Sequence, residues 1–339
     1  MKIKKTLITK EVTNYTLNSE IVKTYLPNSG DVAVFEIIEL GKHEAVQSDA
    51  IRNVAIFEGD FIMATFADRY ATSQYEGYVP SKHHDLYHIL GAGGAIGIVK
   101  SKNAALNHIE PTTVKLVGYC CDETGKVINT RFYNKKRIPF TGEVPGGAKI
   151  ILSIGSTMDS GKTTTAAHVA RGLKSTGKKV GFIKFTGTAY SKDKDYVRDC
   201  GADVALDFAD MGFPSTYMCD KETLLDVFQS LLGLMDLEKP SYIVMEIADG
   251  LLQRETAFLL QDERFMSTIH NIVFSSGDSL SAIHGVEILK KYNLAPCALS
   301  GRFTMSPLLV DEAKAYLGLP VLTIDQIMTG EFNHYFLEK

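Results

Sequence analysis

The chain has 339 residues, enough for about two domains that each bury their own core. Hydrophobic residues make up 45% and charged residues 22%, a globular balance, and the formal net charge of −4 offers no sequence-wide basic field for nucleic acid or an anionic membrane. The short apolar run that follows the basic start Met1-Lys-Ile-Lys-Lys is too brief for a signal peptide, and no stretch approaches the roughly eighteen apolar residues of a membrane span, so a cytoplasmic protein is expected.

Residues 1–30 lack a clear period and read as an N-terminal arm or hairpin. From Asp31 the texture changes. Asp31-Val-Ala-Val-Phe-Glu-Ile-Ile-Glu-Leu40 alternates, Phe61-Ile-Met-Ala-Thr-Phe66 follows a turn at Glu58-Gly-Asp60, and further short strands appear at Tyr87–Leu90, Ala95–Lys100, Thr113–Tyr119 and Lys126–Tyr133. Short strands so spaced, with almost no helical period, predict a small mainly-β barrel or sandwich over 31–134. Within it, Gly91-Ala-Gly-Gly-Ala-Ile-Gly97 resembles a dinucleotide fingerprint but precedes a strand where such a fingerprint opens a helix, so it reads as a tight β-connection. His83 and His84 lie in a polar loop and read as solvated. The five cysteines, Cys120, Cys121, Cys200, Cys219 and Cys297, have no C-x-x-C spacing and read as reduced thiols.

Residues 135–147 combine basic residues, two prolines and three glycines and read as a linker. From 148 to 339 strands alternate with helices. Ile150–Ile154 is an apolar strand, a helical pattern begins at Lys162, and Val180–Lys184, Tyr242–Glu246, Ile272–Phe274, Ala298–Leu299 and Val321–Thr323 are further strands. Amphipathic helices fall between them, the strongest on Leu224, Leu225, Phe228, Leu231, Leu232 and Met235. This predicts an α/β domain with a doubly wound, mainly parallel sheet, whose ligands sit at the carboxyl ends of the strands.

The residues just after those strands carry the chemistry. Gly155, Ser156, Thr157, Met158, Asp159, Ser160, Gly161, Lys162, Thr163 and Thr164 lie between a strand and a helix, as a phosphate loop requires. Loop amides and the helix N-terminus would cradle phosphates, Lys162 would reach the β- and γ-phosphates, and Thr163 would offer its hydroxyl to Mg2+. The strict spacing is missed by one position, since Ser156 stands where the first glycine belongs. Glu246 ends its strand as an acid, where a metal partner is needed, and Lys184 ends another. Arg254 is a candidate contact to phosphate or an acidic substrate, against an ion pair on a helix surface. Asp278 reads as a helix N-cap.

Gly155-Ser-Thr-Met-Asp159-Ser-Gly161-Lys162-Thr163 resembles the lengthened phosphate loop of dethiobiotin synthetase and the cobyrinic acid amidating synthases, and Glu246-Ile-Ala-Asp-Gly250-Leu251 is similar to their E-G-A-G-G-L segment, departing at Ile247 and Asp249. By that resemblance Gly155 is the first glycine, Glu246 is the metal-side acid and Asp159 an acid of the loop that joins Thr163 and Glu246 at the metal. Ile183-Lys184-Phe-Thr-Gly-Thr188, with Asp193, Asp195, Arg198 and Gly201-Ala-Asp203, is similar to the molybdopterin-guanine dinucleotide biosynthesis adaptor, without its histidines. Both resemblances cover about 148–300 only. They imply a P-loop NTPase that uses ATP and Mg2+ to phosphorylate or activate a small molecule, with a carboxylate as the expected acceptor; Lys162, Lys184 and Glu246 are catalytic candidates, and Arg254, in a segment that matches no motif, is a further one. The alternative is a nucleotide-dependent adaptor whose β-domain grips a partner protein. A homodimer is compatible with either; nucleic acid and membrane are not expected partners.

Overall fold

A computed structural model describes residues Lys2–Glu338. The chain divides into two compact units, one of Met1–Lys136, Gly187–Ser191 and Phe208–Met218, the other of Arg137–Thr186, Lys192–Asp207 and Cys219–Lys339. The first unit is therefore discontinuous in sequence.

Its strands are β1 (Ile3–Lys5), β2 (Thr16–Asn18), β3 (Val32–Glu39), β4 (Ala45–Gln47), β5 (Asn53–Ala55), β6 (Phe61–Phe66), β7 (Arg69–Tyr70), β8 (Tyr75–Tyr78), β9 (Tyr87–Gly91), β10 (Ala95–Lys102) and β11 (Thr113–Cys121). The path β6-β3-β11-β9-β10 closes on itself because β10 also pairs with β6, so these strands form a ring. Its interior is filled by alternate side chains, with Phe35, Phe66 and Tyr87 meeting edge to face at 5.3 to 6.4 Å. Register shifts along β11 mark bulges that bend the long strand. Residues expected as a loose arm are built into the sheet: β1 pairs parallel with β6 and β2 antiparallel with β11. Three-residue strands are too short to show a period. The glycine run at 91–97 is the β9–β10 turn; Gly94 has φ of +108°, and a Cβ there would lie 2.1 Å from Thr6 Oγ1.

The second unit runs β12 (Lys149–Gly155), α1 (Lys162–Lys174), β13 (Val180–Lys184), α2 (Lys192–Asp199), β14 (Val204–Asp207), α3 (Lys221–Asp236), β15 (Tyr242–Glu246), α4 (Arg254–Leu260), α5 (Glu263–Met266), β16 (Asn271–Ser275), α6 (Ser279–Lys291), β17 (Ala298–Ser300), α7 (Pro307–Tyr316), α8 (Ile324–Thr329) and α9 (Asn333–Leu337). All sheet pairings are parallel, in the order β14-β13-β15-β12-β16-β17. The chain winds to one side of β12 and then to the other, so the crevice at its carboxyl end is where such a sheet binds ligands. Val321 makes one parallel bridge to Leu299 where a further strand was expected, because Pro320 ahead of it has no N–H to extend a ladder. The stretch read as a linker is ordered against α3, whose Ser230, Asp226 and Gln229 side chains accept from its main-chain N–H groups. Among the described residues no helix is long and apolar enough to cross a membrane.

Candidate functional site

β12 is buried along almost its whole length and ends at Gly155, whose Cβ, if present, would stand 2.2 Å from Ser160 Oγ and 2.7 Å from Lys162 Cγ. Glycine is therefore required there, at the turn seven residues before the lysine. The loop then bends through Asp159 at φ +61° and Gly161 at φ +98° before α1 starts at Lys162. A left-handed residue directly before the helix is what turns the loop back over its N-terminus. The loop is tied to its neighbours by main-chain bonds: Ser156 N donates to the Ser275 carbonyl at 2.9 Å, and Arg302 N donates to the Ser160 carbonyl at 3.0 Å. The hydroxyls of Ser156 and Ser160 are buried with no hydrogen-bond partner among the described residues. Thr157, Asp159 and Thr164 are exposed, and Met158 is half-buried.

Lys162 lies buried under the loop and donates from Nζ to the Thr157 carbonyl at 2.7 Å. Burial lowers its pKa, against the raising influence of Glu246, Asp249 and Asp159. Thr163 Oγ1 donates to Glu246 Oε1 at 3.0 Å. β15 delivers Glu246, 2% exposed, at the position paired with Lys184 of β13, and Lys184 Nζ stands 3.9 Å from the same Oε1. The other carboxylate oxygen, Oε2, is buried and has no hydrogen-bond partner among the described residues. Lys184 also makes an ion pair with Asp193 of α2, a residue the sequence left without a role.

Asp249 follows at φ +64°, and Gly250 packs so closely under the loop that a Cβ there would be 2.3 Å from the Ser156 carbonyl. Burial pushes the Asp249 carboxyl up to about 6, with Lys162 and Lys184 pulling it down and Glu255 and Glu246 adding to the rise. Arg254 starts α4 with its guanidinium on the Cys219 carbonyl at 2.9 Å and on Glu255 at 2.5 Å, and it lies over the Phe258 ring. It serves the helix start. Asp278 accepts from Ser281 N at 2.8 Å and caps α6. Asp207, Glu246 and Lys184 end adjacent strands, but Asp207 is paired with Lys194 at 3.1 Å.

The residues present fit a divalent cation with few protein ligands: a buried carboxylate with one orphaned oxygen, and a threonine hydroxyl held against the other. Mg2+ is commonly bound by one or two such groups plus phosphate oxygens. Among the described residues no cluster of three or more His, Cys, Asp or Glu offers a denser metal site.

The parallel order, the loop between β12 and α1, and Glu246 on the adjacent strand define the second unit as a doubly wound parallel α/β fold with the arrangement of a phosphate-binding loop. No family model matches the chain, and no curated protein matches it. Among solved structures, it is similar to the hydrogenase maturation factor HypB from Archaeoglobus fulgidus, at 12% identity over 52% of this chain and 81% of that one, with a TM-score of 0.35. The signal recognition particle receptor FtsY from Elizabethkingia anophelis in complex with GDP is 14% identical over 57% of this chain and 64% of that one, at 0.37. The signal recognition particle 54 kDa protein from Aeropyrum pernix in complex with GDP is 17% identical over 58% and 48%, also at 0.37.

Proposed function

We propose that the second unit binds a magnesium–nucleoside triphosphate, with ATP as the nucleotide, and uses it to phosphorylate or otherwise activate a small carboxylate in the manner of the dethiobiotin synthetase-like class. Lys162 and the loop amides hold the phosphates. Thr163 and Glu246 hold Mg2+, which supplies charge neutralisation for the phosphoryl group. Lys184, braced by Asp193, anchors the acceptor carboxylate or the oxygens in transit. Asp159 stands at the exposed rim of the loop, and Arg254 is engaged with Glu255 and the Cys219 carbonyl. Catalysis in this reading is positioning and electrostatic stabilisation.

The observation that carries the proposal is the geometry around Glu246. Thr163 Oγ1 and Lys184 Nζ both address Oε1, at 3.0 and 3.9 Å, while Oε2 stays buried and unbonded. An orphaned carboxylate oxygen costs about 1–3 kcal/mol or more, and a cation beside the phosphates relieves it. The test is release of nucleoside diphosphate from ATP and from GTP, with and without a panel of mono- and dicarboxylates. Turnover stimulated about tenfold or more by one carboxylate is expected, the scale of acceptor-dependent phosphoryl transfer. Nucleotide binding without stimulation by any small molecule would overturn the kinase or ligase reading in favour of a nucleotide-dependent regulator.

A further inference from the structure

Far along the sequence from the phosphate loop, the first unit buries a group of hydrogen-bond donors that its ring of strands does not need. His43 sits between β3 and β4, 9% exposed, with its main chain locked: the N–H groups of Gly41 and His43 donate to Thr112 Oγ1 at 2.9 and 3.2 Å, and that hydroxyl donates back to the His43 carbonyl at 2.7 Å. Its ring lies 6.0 Å from that of Tyr75, which is fully buried. Among the described residues neither His43 Nδ1 nor the Tyr75 hydroxyl has a hydrogen-bond partner.

Positive charge gathers beside them. Lys42 Nζ lies 5.4 Å from the Tyr75 ring and donates to Gln74 Oε1 at 2.5 Å; Arg69, also 9% exposed, donates to the same oxygen at 2.8 Å. Two cations thus converge on one neutral amide oxygen, and no ion pair joins Lys42 to a carboxylate among the described residues. Two neighbouring acids are engaged with other groups: Glu76 is bonded to Tyr78, Lys100 and Ser101, and Glu110 pairs with Lys102 at 2.9 Å. The charges register on one another. Burial, then Arg69 and Lys42, push the His43 imidazole down to about 3, and burial and Arg69 lower Lys42. Gln74 is also a wall of a cleft of about 300 Å3 whose other lining includes Thr72, Ser101 and Asn103.

We propose that Lys42, His43, Arg69 and Tyr75 bind the oxyanion head, carboxylate or phosphate, of a small molecule whose body lies in the adjoining cleft beyond Gln74. One anion supplies both things the cluster lacks: an acceptor for a buried phenol, and countercharge for Lys42. Burying a polar group unbonded costs more than its bond returns, so a site that gathers such groups with cations is shaped for a ligand. The site is separate from the phosphate loop and independent of the function proposed for it.

The test uses the full chain carrying Lys162→Ala, so that phosphate does not report on the loop. Inorganic phosphate and acetate are titrated by calorimetry, with the 15N-labelled histidine imidazoles followed by NMR. Binding is expected, with the His43 ring resonances shifting and its titration moving up toward the ordinary histidine range. Tyr75→Phe, which removes only the hydroxyl, lowers affinity about tenfold, as loss of a hydrogen bond to a charged group does. Lys42→Gln lowers it at least as much and Lys42→Arg restores it. Tighter binding of phosphate than acetate assigns the head as phosphate; the reverse assigns a carboxylate. Absence of binding, or binding that Tyr75→Phe and Lys42→Gln leave unchanged with His43 resonances static, overturns the proposal.

Discussion

At Asp249 burial and neighbouring lysines pull in opposite directions, and burial wins, raising the carboxyl to about 6. The folded chain then holds this proton more tightly than the unfolded chain, so stability declines as pH climbs from about 4 through 6. Asp249→Asn should abolish that decline and stabilise the chain by up to about 3 kcal/mol near neutral pH, read by urea unfolding across the range. An equal difference at acid and neutral pH would refute it. Gly155→Ala, by driving a methyl into Ser160 and Lys162, should lower nucleotide affinity about tenfold with a smaller loss of stability, the usual cost of overpacking. Lys162→Ala should lower it about a hundredfold in calorimetry, since it deletes a charge-assisted contact to phosphate; unchanged affinity would move the phosphates elsewhere. These residues were legible because the loop's chemistry is local: strand, glycine, lysine and threonine stand within one run. The partner of Lys184 was not. Asp193 is nine residues on, and only the path of the chain through α2 brings it back. The exposure of Asp159 and the engagement of Arg254 with Cys219 were equally invisible, being set by loop curvature and by a carbonyl thirty-five residues upstream.

Elements with a strong period were readable to within a residue or two. α3 shows this, its buried Leu224, Leu225, Phe228, Leu231, Leu232 and Met235 lying at spacings of three and four. What the period did not convey is that the polar residues of α3 organise the preceding stretch. Ser230 Oγ accepts from Ile138 N at 2.8 Å, Asp226 from Phe140 N at 2.9 Å, and Gln229 Oε1 from Thr141 and Gly142 N at 3.1 and 3.3 Å, while Gln229 Nε2 donates to the Glu143 carbonyl at 3.0 Å. Proline and glycine content marks a chain without regular structure, and here side chains of one helix satisfy its main chain instead. Gln229→Ala should therefore cost about 1–2 kcal/mol and speed amide exchange at Thr141 and Gly142 ahead of the rest of the unit. Uniform acceleration across the unit would show that the stretch contributes only through global stability.

On the scale of the whole chain, the alternation of short strands and then strand–helix pairs separated a β-rich part from an α/β part, but the boundary is not one cut. Gly187–Ser191 and Phe208–Met218, encoded inside the α/β stretch, belong to the first unit. They are aperiodic and leave no sequence signal of that membership; Gly212 comes nearest, since a Cβ there would lie 1.9 Å from the Thr130 carbonyl. Their bonds within the unit are buried and specific. Gln47 Nε2 donates to Ser191 Oγ at 2.7 Å and Ser191 N to Gln47 Oε1 at 2.9 Å, Thr130 Oγ1 donates to the Gly212 carbonyl at 2.7 Å, and Arg131 stacks on the Phe213 ring at 4.5 Å. A fragment ending at Lys136 would keep the ring of strands yet strip these partners, leaving the Gln47 carboxamide unbonded, the Thr130 hydroxyl with only its longer 3.3 Å bond to the Gly30 carbonyl, and the apolar surface under Phe208 and Phe213 open to water. Each unmet buried group costs about 1–3 kcal/mol, and domains rest on a margin of only about 5–15 kcal/mol, so a few such losses remove it. Residues 1–136 expressed alone should give poorly dispersed amide resonances and a non-cooperative melt, and the fragment should bind dyes that report exposed apolar surface. A dispersed spectrum with a single sharp transition would show instead that the ring folds on its own and that the two inserted segments merely decorate it.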